Sequence, residues 1–292
     1  MTGPRAGHLA MLLFSMLVAG SFALGSLAAN EIAPSALNAV RFWIATVIVG
    51  TIAVSTTGIA RTAFAAPWRY VVLAVFFTTY FVLMFEGLKT APPVGAAAVF
   101  TLTPILTAGF GWLLLRQVLT PRMALALLIG ALGAVWVIFR ADVAAILRFE
   151  VGRGEVVYFW GCMAHAIYTP LVRRLNRGET AVVFSFGVLL AGSVLLTLWG
   201  WADLKATDWR GLPGIVWVTI LYTAVFASAA TFVLLQFATL RLPSSKVMAY
   251  TYLTPSWVIV WELALGGVPP PLLVLAGLAL TMIALGLLLR ED

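Results

Sequence analysis

The feature that most constrains this chain is its succession of apolar stretches, each about 20 residues long, the length needed to cross the roughly 30 Å hydrocarbon core of a bilayer. Of the 292 residues, 62% are apolar and 10% are charged. Soluble domains hold about 45–50% apolar and about 25% charged residues. The composition therefore excludes a soluble fold and predicts an all-α polytopic membrane protein. We expect ten transmembrane helices, at residues 8–29, 34–55, 69–88, 93–115, 121–139, 155–172, 180–200, 212–237, 243–264 and 270–289.

The basic residues predict how these spans are oriented. If the N-terminus is inside, eleven Lys and Arg fall in inner connections, the last being Arg290, and six fall in outer ones. Cytoplasmic loops carry an excess of Lys and Arg, so both termini are expected in the cytoplasm. Residues 8–29 are interpreted as a retained span rather than a cleaved signal peptide. The net charge of +7 is scattered over short connections, which predicts membrane lipid and no nucleic acid as a partner.

The chain repeats itself across the polar connection at 140–154. Phe81-Val82-Leu83 recurs as Phe232-Val233-Leu234, and Leu102-Thr103-Pro104 recurs as Leu253-Thr254-Pro255, both 151 residues later. We therefore predict two five-helix repeats, residues 1–145 and 146–292. Because five is odd, the second repeat enters the membrane in the opposite sense, which is the arrangement of many transporters with a site between the halves.

Two prolines predict where helices are interrupted. Pro104 and Pro255 fall in the middle of the fourth and ninth spans, where a proline removes a backbone hydrogen bond. The carbonyls of Phe100 and Thr251 then need another donor. Either these breaks are kinks stabilised by Thr103 and Thr254, or they are hinges that offer polar groups to a substrate.

Aromatic residues deep in the spans predict a central cavity. Membrane Trp and Tyr usually lie at the interfaces, but several here do not. Trp160, His165 and Tyr168 are expected on one face of the sixth helix. The alternative for each residue is ordinary helix packing with a satisfied polar tip. The candidate substrate-binding residues are Tyr80, Phe100, Thr101, Trp160, His165, Tyr168, Tyr222, Tyr250 and Tyr252.

Ionisable residues within the spans are few. Glu86, Glu155 and Glu262 are expected near the outer span ends, within reach of water. Arg41 lies seven residues into the second span, about 10 Å along its axis. It can reach headgroups, bond a neighbouring carbonyl or bind a substrate carboxylate. His165 is deep, but the absence of a midplane Asp or Glu gives no basis for proton coupling.

A family resemblance rests on a combination of motifs. They are Gly20-Ser21-Phe22, Ala33-Pro34, Arg41-Phe42, the segment from Tyr168 to Arg174 and the two Leu-Thr-Pro segments. Together they resemble the drug/metabolite transporter superfamily, specifically its ten-span EamA-type exporters, and within these the YddG-type exporters of aromatic and other neutral amino acids. The resemblance implies a cavity bounded by the third, fourth, eighth and ninth spans, and transport without ATP in the bacterial inner membrane.

The function expected from these observations is export of amino acids and related small metabolites by alternating access, with aromatic cations as a further substrate class. We expect a monomer without cofactor, metal or catalytic residues. One alternative is an intramembrane enzyme, but neither an H-E-x-x-H motif nor paired midplane carboxylates are present in the sequence. A channel or a lipid flippase is the other alternative.

Overall fold

The computed structural model describes residues 4–148 and 150–289, and the predicted ten spans each coincide with helical structure there. Arg290, which was counted among the inner charges, lies outside the described residues. Eight helices in the described ranges are long and apolar enough to cross a membrane. Two predicted spans are not among these eight. The sixth is a helix with several charges at its ends, and the ninth is a helix that is interrupted.

The first half of the chain contains the predicted spans one to five. Prolines stand in the first turn of several of its helices, where a missing N–H costs nothing. The fourth span is divided, because its first helix ends at Phe100 and the next begins at Thr103. The helices are α1 (Pro4–Ala28), α2 (Pro34–Thr56), α3 (Trp68–Leu88), α4 (Pro93–Phe100), α5 (Thr103–Leu115) and α6 (Pro121–Ile138), with a 3-10 turn at Arg61–Phe64.

The connection between the halves contains α7 (Val143–Arg148), a short helix across the predicted boundary at residues 145 and 146. Spans six to ten follow. The eighth span passes through a π-helical segment at Val225–Ala230, and the ninth through a 3-10 segment at Tyr250–Leu253. The helices are α8 (Arg153–Leu175), α9 (Ala181–Trp199), α10 (Trp201–Ala206), α11 (Gly214–Ala224), α12 (Thr231–Thr239), α13 (Ser244–Ala249), α14 (Thr254–Ala264) and α15 (Leu272–Leu289).

The two halves run in opposite directions through the bundle. We call the end that holds the start of α1 the proximal end and the opposite one the distal end. His8, near the start of α1, hydrogen-bonds through Nδ1 with the Tyr250 hydroxyl at 3.1 Å, and Gly7 lies against Leu242, which follows α12. The first helix of the second half starts distally, since Gly154 in α8 lies against the carbonyl of Gly87 at the end of α3. The inverted repeat is therefore present in the fold.

Helices of one half pack mainly on helices of the other. The closest pairings are α3 with α8, α6 with α15, α2 with α9 and α1 with α12. These pairings are symmetric between the halves. In the repeat, α12 is equivalent to α3 and α8 is equivalent to α1, so the contact of α3 with α8 corresponds to that of α12 with α1. The space between the halves is thus enclosed by α1, α3, α4, α8 and α12.

Candidate functional site

Aromatic rings from both halves meet at the centre of the bundle. The Phe77 ring lies 4.2 Å from that of Phe232 and 4.3 Å from that of Tyr168, measured between centroids. The Tyr80 and His165 rings are 4.5 Å apart. All members are buried. We define the aromatic centre as Phe77, Tyr80, Phe81, Phe100, Tyr158, His165, Tyr168 and Phe232.

Helical periodicity explains why these side chains converge. Phe77, Tyr80 and Phe81 are three and four residues apart on α3, so they share one face of that helix. On α8, Tyr158 and His165 are seven residues apart, which is close to two turns. The two faces oppose each other because α3 and α8 pack along their lengths. Phe100 reaches the same place from the last residue of α4.

The aromatic centre also holds polar atoms. The Tyr158 hydroxyl donates to the Tyr80 hydroxyl at 3.2 Å, and Gln236 Nε2 donates to the Tyr168 hydroxyl at 2.9 Å. His165 Nδ1 and Gln236 Oε1 have no hydrogen-bond partner within residues 4–148 and 150–289. Buried polar atoms are usually paired, so each of these two atoms requires an explanation.

Four of the predicted binding residues belong to this centre, namely Tyr80, Phe100, His165 and Tyr168. Thr101 lies beside them, but its hydroxyl donates to the Ala98 carbonyl at 2.6 Å. The side chains of the centre are in contact and fill the place predicted for a central cavity. Rings separated by 4.2–4.5 Å leave no room for a further ring between them. Their binding role stays a prediction.

Trp160 does not share a face with His165 and Tyr168, and that expectation is wrong. It is 60% exposed on the outside of the bundle, where it lines a lateral, almost wholly apolar cavity of about 300 Å³ with Phe159. The reason is helical geometry: five residues correspond to 500° of rotation at 100° per residue, so Trp160 points about 140° away from His165. Tyr158 and His165 mark the true inner face.

The tyrosines of the eighth and ninth spans also lie away from the aromatic centre. The Tyr222 hydroxyl donates to the Leu17 carbonyl at 3.0 Å on the side of the bundle. Tyr250 pairs with His8 at the proximal end. Tyr252 is buried against Gly130 in α6. The structure therefore does not bring these three into one site with Tyr80.

The predicted helix breaks at Pro104 and Pro255 are present, and the carbonyls that they release have partners. The Thr103 hydroxyl donates to the Phe100 carbonyl at 2.5 Å, as the kink interpretation requires. The Thr251 carbonyl accepts from the backbone N–H of Thr254. Neither carbonyl is free for a substrate in this structure. The Thr254 hydroxyl itself has no partner among the described residues.

Sequence reasoning missed Phe77, Phe81, Tyr158 and Phe232. Helical spacing was a signal for two of them, since Phe77 lies three residues before Tyr80 and Tyr158 lies seven residues before His165. Phenylalanine is an ordinary core residue, so spacing alone does not separate a site from packing. The contacts across α3, α8 and α12 are what identify the group.

Glu155 differs from its expected surroundings, whereas Arg41 takes up one of the three that were expected, the bond to a neighbouring carbonyl. Glu155 is 4% exposed, so it is not within easy reach of water. It lies in the first turn of α8, beneath Gly95 and Gly152. Arg41 is completely buried and donates to the Ala227 carbonyl at 3.1 Å, which excludes contact with the headgroups in this structure.

Comparisons with known proteins agree with this architecture. An uncharacterised transporter of Bacillus subtilis (strain 168), YyaM, is 25% identical over 283 residues, covering 96% of this chain and 92% of its own length. A solved structure, described only as the crystal structure of a protein, superposes with a TM-score of 0.73 at 22% identity. The superposition covers 97% of this chain and 94% of the chain in the solved structure.

The EamA-like transporter family matches the chain twice, at residues 5–139 and 152–290. These two matches correspond to the two antiparallel halves of the bundle. The chain therefore belongs to the EamA-like transporter family.

Proposed function

We propose that this protein exports amino acids, aromatic or other neutral ones, and related small metabolites across the bacterial cell membrane by alternating access. The observation that carries the proposal is the aromatic centre, which lies between the two halves, next to the interruption of the fourth span. Binding sites in inverted-repeat transporters occupy this position. The excess of basic residues in the connections at the proximal end supports cytoplasmic termini.

The chemistry of the centre suits an amino acid. Its rings offer an apolar surface for a planar or branched side chain, as in most small-molecule sites. His165 Nδ1 and Gln236 Oε1 are unpaired among the described residues and can each accept a hydrogen bond from a substrate ammonium group. A lipid substrate would instead require a continuous open path to the membrane at this depth.

Alternating access requires contacts between the halves that open at one end at a time. At the proximal end, Arg69 pairs with Glu179 at 2.7 Å and also donates to the Leu175 carbonyl at 2.7 Å. At the distal end, the Ser35 hydroxyl donates to Asp203. Each contact joins the first half to the second. Opening one end while the other stays closed would expose the aromatic centre to one side of the membrane.

The proposal is tested with purified protein in liposomes. Uptake of labelled phenylalanine, tryptophan, leucine, glutamate and an aromatic cation is measured with and without a pH gradient. We expect saturable uptake of the neutral amino acids above that of empty liposomes. No uptake of any compound would overturn the proposal, and uptake that does not saturate would favour a channel.

Two variants connect the uptake to the aromatic centre. His165→Ala removes an unpaired buried acceptor and its ring contacts, and it should raise the KM for phenylalanine about tenfold, equivalent to about 1.4 kcal/mol. Trp160→Leu changes an exposed ring on the same helix and serves as the matched control, with an unchanged KM. Equal effects of the two changes would contradict the assignment of the site.

A further inference from the structure

Arg41 carries a positive charge that has no acidic partner in the part of the chain that the structure describes. Arg41 lies in α2, and its side chain is completely buried within the bundle. Nε and Nη2 donate to the Ser228 hydroxyl at 3.1 and 2.8 Å, Nη2 to the Ala227 carbonyl at 3.1 Å, and Nη1 to the Asn38 side-chain oxygen at 3.2 Å. All three acceptors are neutral, so the guanidinium is held in place but its charge is not balanced.

Such a charge is expensive within a membrane. Insertion scales place Arg among the residues that are most costly at a helix centre. A link between α2 and the eighth span needs only hydrogen bonds, which a neutral side chain supplies without this cost. A buried cation with neutral partners is therefore better explained by an anion that it binds at some stage of the cycle.

The partner segment of Arg41 is itself unusual. Ser228 and Ala227 lie in the π-helical segment Val225–Ala230. Such segments are rare and occur frequently at functional sites, because the widened turn repositions backbone and side-chain groups. Here it presents a hydroxyl and a carbonyl of the second half to an arginine of the first half. The contact therefore lies at the junction of the two halves.

Arg41 also adjoins the aromatic centre. Its Cζ lies 4.0 Å from the centroid of the Phe81 ring. The Phe81 ring is 4.7 Å from that of Tyr80 and 4.9 Å from that of Phe77. When the centre opens, a ligand whose apolar part contacts Tyr80 or Phe77 would be one ring away from the guanidinium.

We propose that Arg41 binds the carboxylate of the substrate, and that Asn38 and Ser228 hold the guanidinium when no carboxylate is bound. The planar guanidinium offers paired N–H donors that match the two oxygens of a carboxylate. Binding would exchange neutral acceptors for a charged one and would loosen the link between α2 and the π-helical segment. This inference rests on the proposed function, because it assigns one end of an amino acid to one residue.

The test compares two ligands that differ in the carboxylate alone. Thermal stabilisation of the purified protein in detergent is titrated with L-phenylalanine and with its methyl ester, which keeps the ring and the ammonium group. We expect the wild type to bind the acid at least about tenfold more tightly than the ester. Arg41→Gln should abolish this preference, and Arg41→Lys should restore part of it.

Ser228→Ala is the matched control. It removes one partner of Arg41 and keeps the charge, so the protein should become less stable while the preference for the acid remains. If Arg41 were merely a structural link, Arg41→Gln and Ser228→Ala would lower stability alike and leave the preference unchanged, which would overturn the inference.

The outcomes separate this inference from the proposed function. Equal binding of acid and ester by the wild type overturns the role of Arg41 while amino-acid transport stands. Binding of neither, together with no flux in liposomes, overturns both. If Arg41→Gln does not fold, the wild-type comparison and the Arg41→Lys variant decide the question.

Discussion

The two halves of the chain share a frame but differ at its centre. Positions 151 residues apart are equivalent in the third and eighth spans and in the fourth and ninth, as the repeated Phe-Val-Leu and Leu-Thr-Pro segments indicate. The first half has Phe77, Tyr80 and Phe100 where the second half has Ser228, Thr231 and Thr251, in that order. The rings of the first set contact one another. In the second set, Ser228 accepts a hydrogen bond from Arg41, and Thr251 donates one to the Met248 carbonyl.

The helices differ in the same way. The segment of α3 equivalent to Val225–Ala230 is regular α-helix, whereas the second half is π-helical there. The difference indicates that duplication supplied the antiparallel frame and the equivalent pair Phe81 and Phe232 of the aromatic centre, whereas Phe77, Tyr80 and Phe100 stand where the halves differ. Substitutions at the two sides of a contact in the frame should therefore have similar effects, and substitutions at equivalent positions of the centre that differ between the halves should have unequal effects.

The largest expected effect concerns the frame, where α6 crosses α15. A Cβ on Gly133 would lie 2.6 Å from the Gly277 carbonyl oxygen, and a Cβ on Gly277 would lie 2.8 Å from that of Gly133. Gly133→Val and Gly277→Val should each lower stability by about 3 kcal/mol, since overpacking forces the helices apart. Thermal unfolding in detergent measures this loss.

Gly109→Val is the control for both, because a Cβ there meets nothing within 4 Å. It should leave the unfolding temperature nearly unchanged. If Gly133→Val left the unfolding temperature unchanged while Gly277→Val lowered it, the two glycines would not limit the approach of the helices equally.

A smaller effect is expected at the proximal end, where the ion pair of Arg69 and Glu179 joins the halves. Burial of Glu179 raises its pKa, but hydrogen bonds from Arg69 and the Arg177 N–H outweigh this and hold the pKa below its usual value of 4.5. The stabilisation is therefore complete above that value and is lost as the pH falls through the lower folded-state pKa. The unfolding temperature should fall below about pH 4.5.

Glu179→Gln should lower the free energy of unfolding by about 2 kcal/mol at neutral pH, which is less than the cost of removing one partner of a fully buried ion pair. It should also weaken the fall of the unfolding temperature at acid pH. Glu86→Gln is its control, because the Glu86 pair with Lys89 is solvent-exposed and contributes little. An unchanged acid transition in Glu179→Gln would assign the response to another group.

The smallest effect separates the two helix breaks. The Thr103 hydroxyl bonds the carbonyl released by Pro104, whereas the Thr254 hydroxyl has no partner among the described residues. Thr103→Val should cost about 1 kcal/mol and Thr254→Val close to nothing. Chemical denaturation of the two variants measures the difference, and equal losses would mean that both breaks depend on their threonines in the same way.

The frame was predictable because it depends on patterns that sequence carries directly. The apolar stretches, the odd number of spans per repeat and the two Leu-Thr-Pro segments predicted where the helices lie, the inversion and the breaks at Pro104 and Pro255. The satisfaction of the Phe100 carbonyl by Thr103 was also among the predicted alternatives.

The site was less predictable, because it depends on which helix faces meet. Trp160 was placed inward because its spacings of five and eight residues from His165 and Tyr168 were interpreted as one helical face, but its rotation from His165 directs it outward. Phe77 carries no polar group that distinguishes it from core, and Tyr158 lies three residues after the predicted start of its span, where tyrosine is common. The partner of Arg41 is 187 residues away in a π-helical turn, which no local pattern indicates.

The most direct test of the account compares phenylalanine uptake by liposomes containing Phe100→Leu or Thr251→Val, which alter equivalent positions of the two halves. Phe100 contributes a ring to the aromatic centre, and Thr251 bonds the Met248 carbonyl outside it. We predict that Phe100→Leu raises the KM about tenfold and that Thr251→Val changes it less than about twofold. Equal changes, or a larger one for Thr251→Val, would contradict the placement of the site at the aromatic centre.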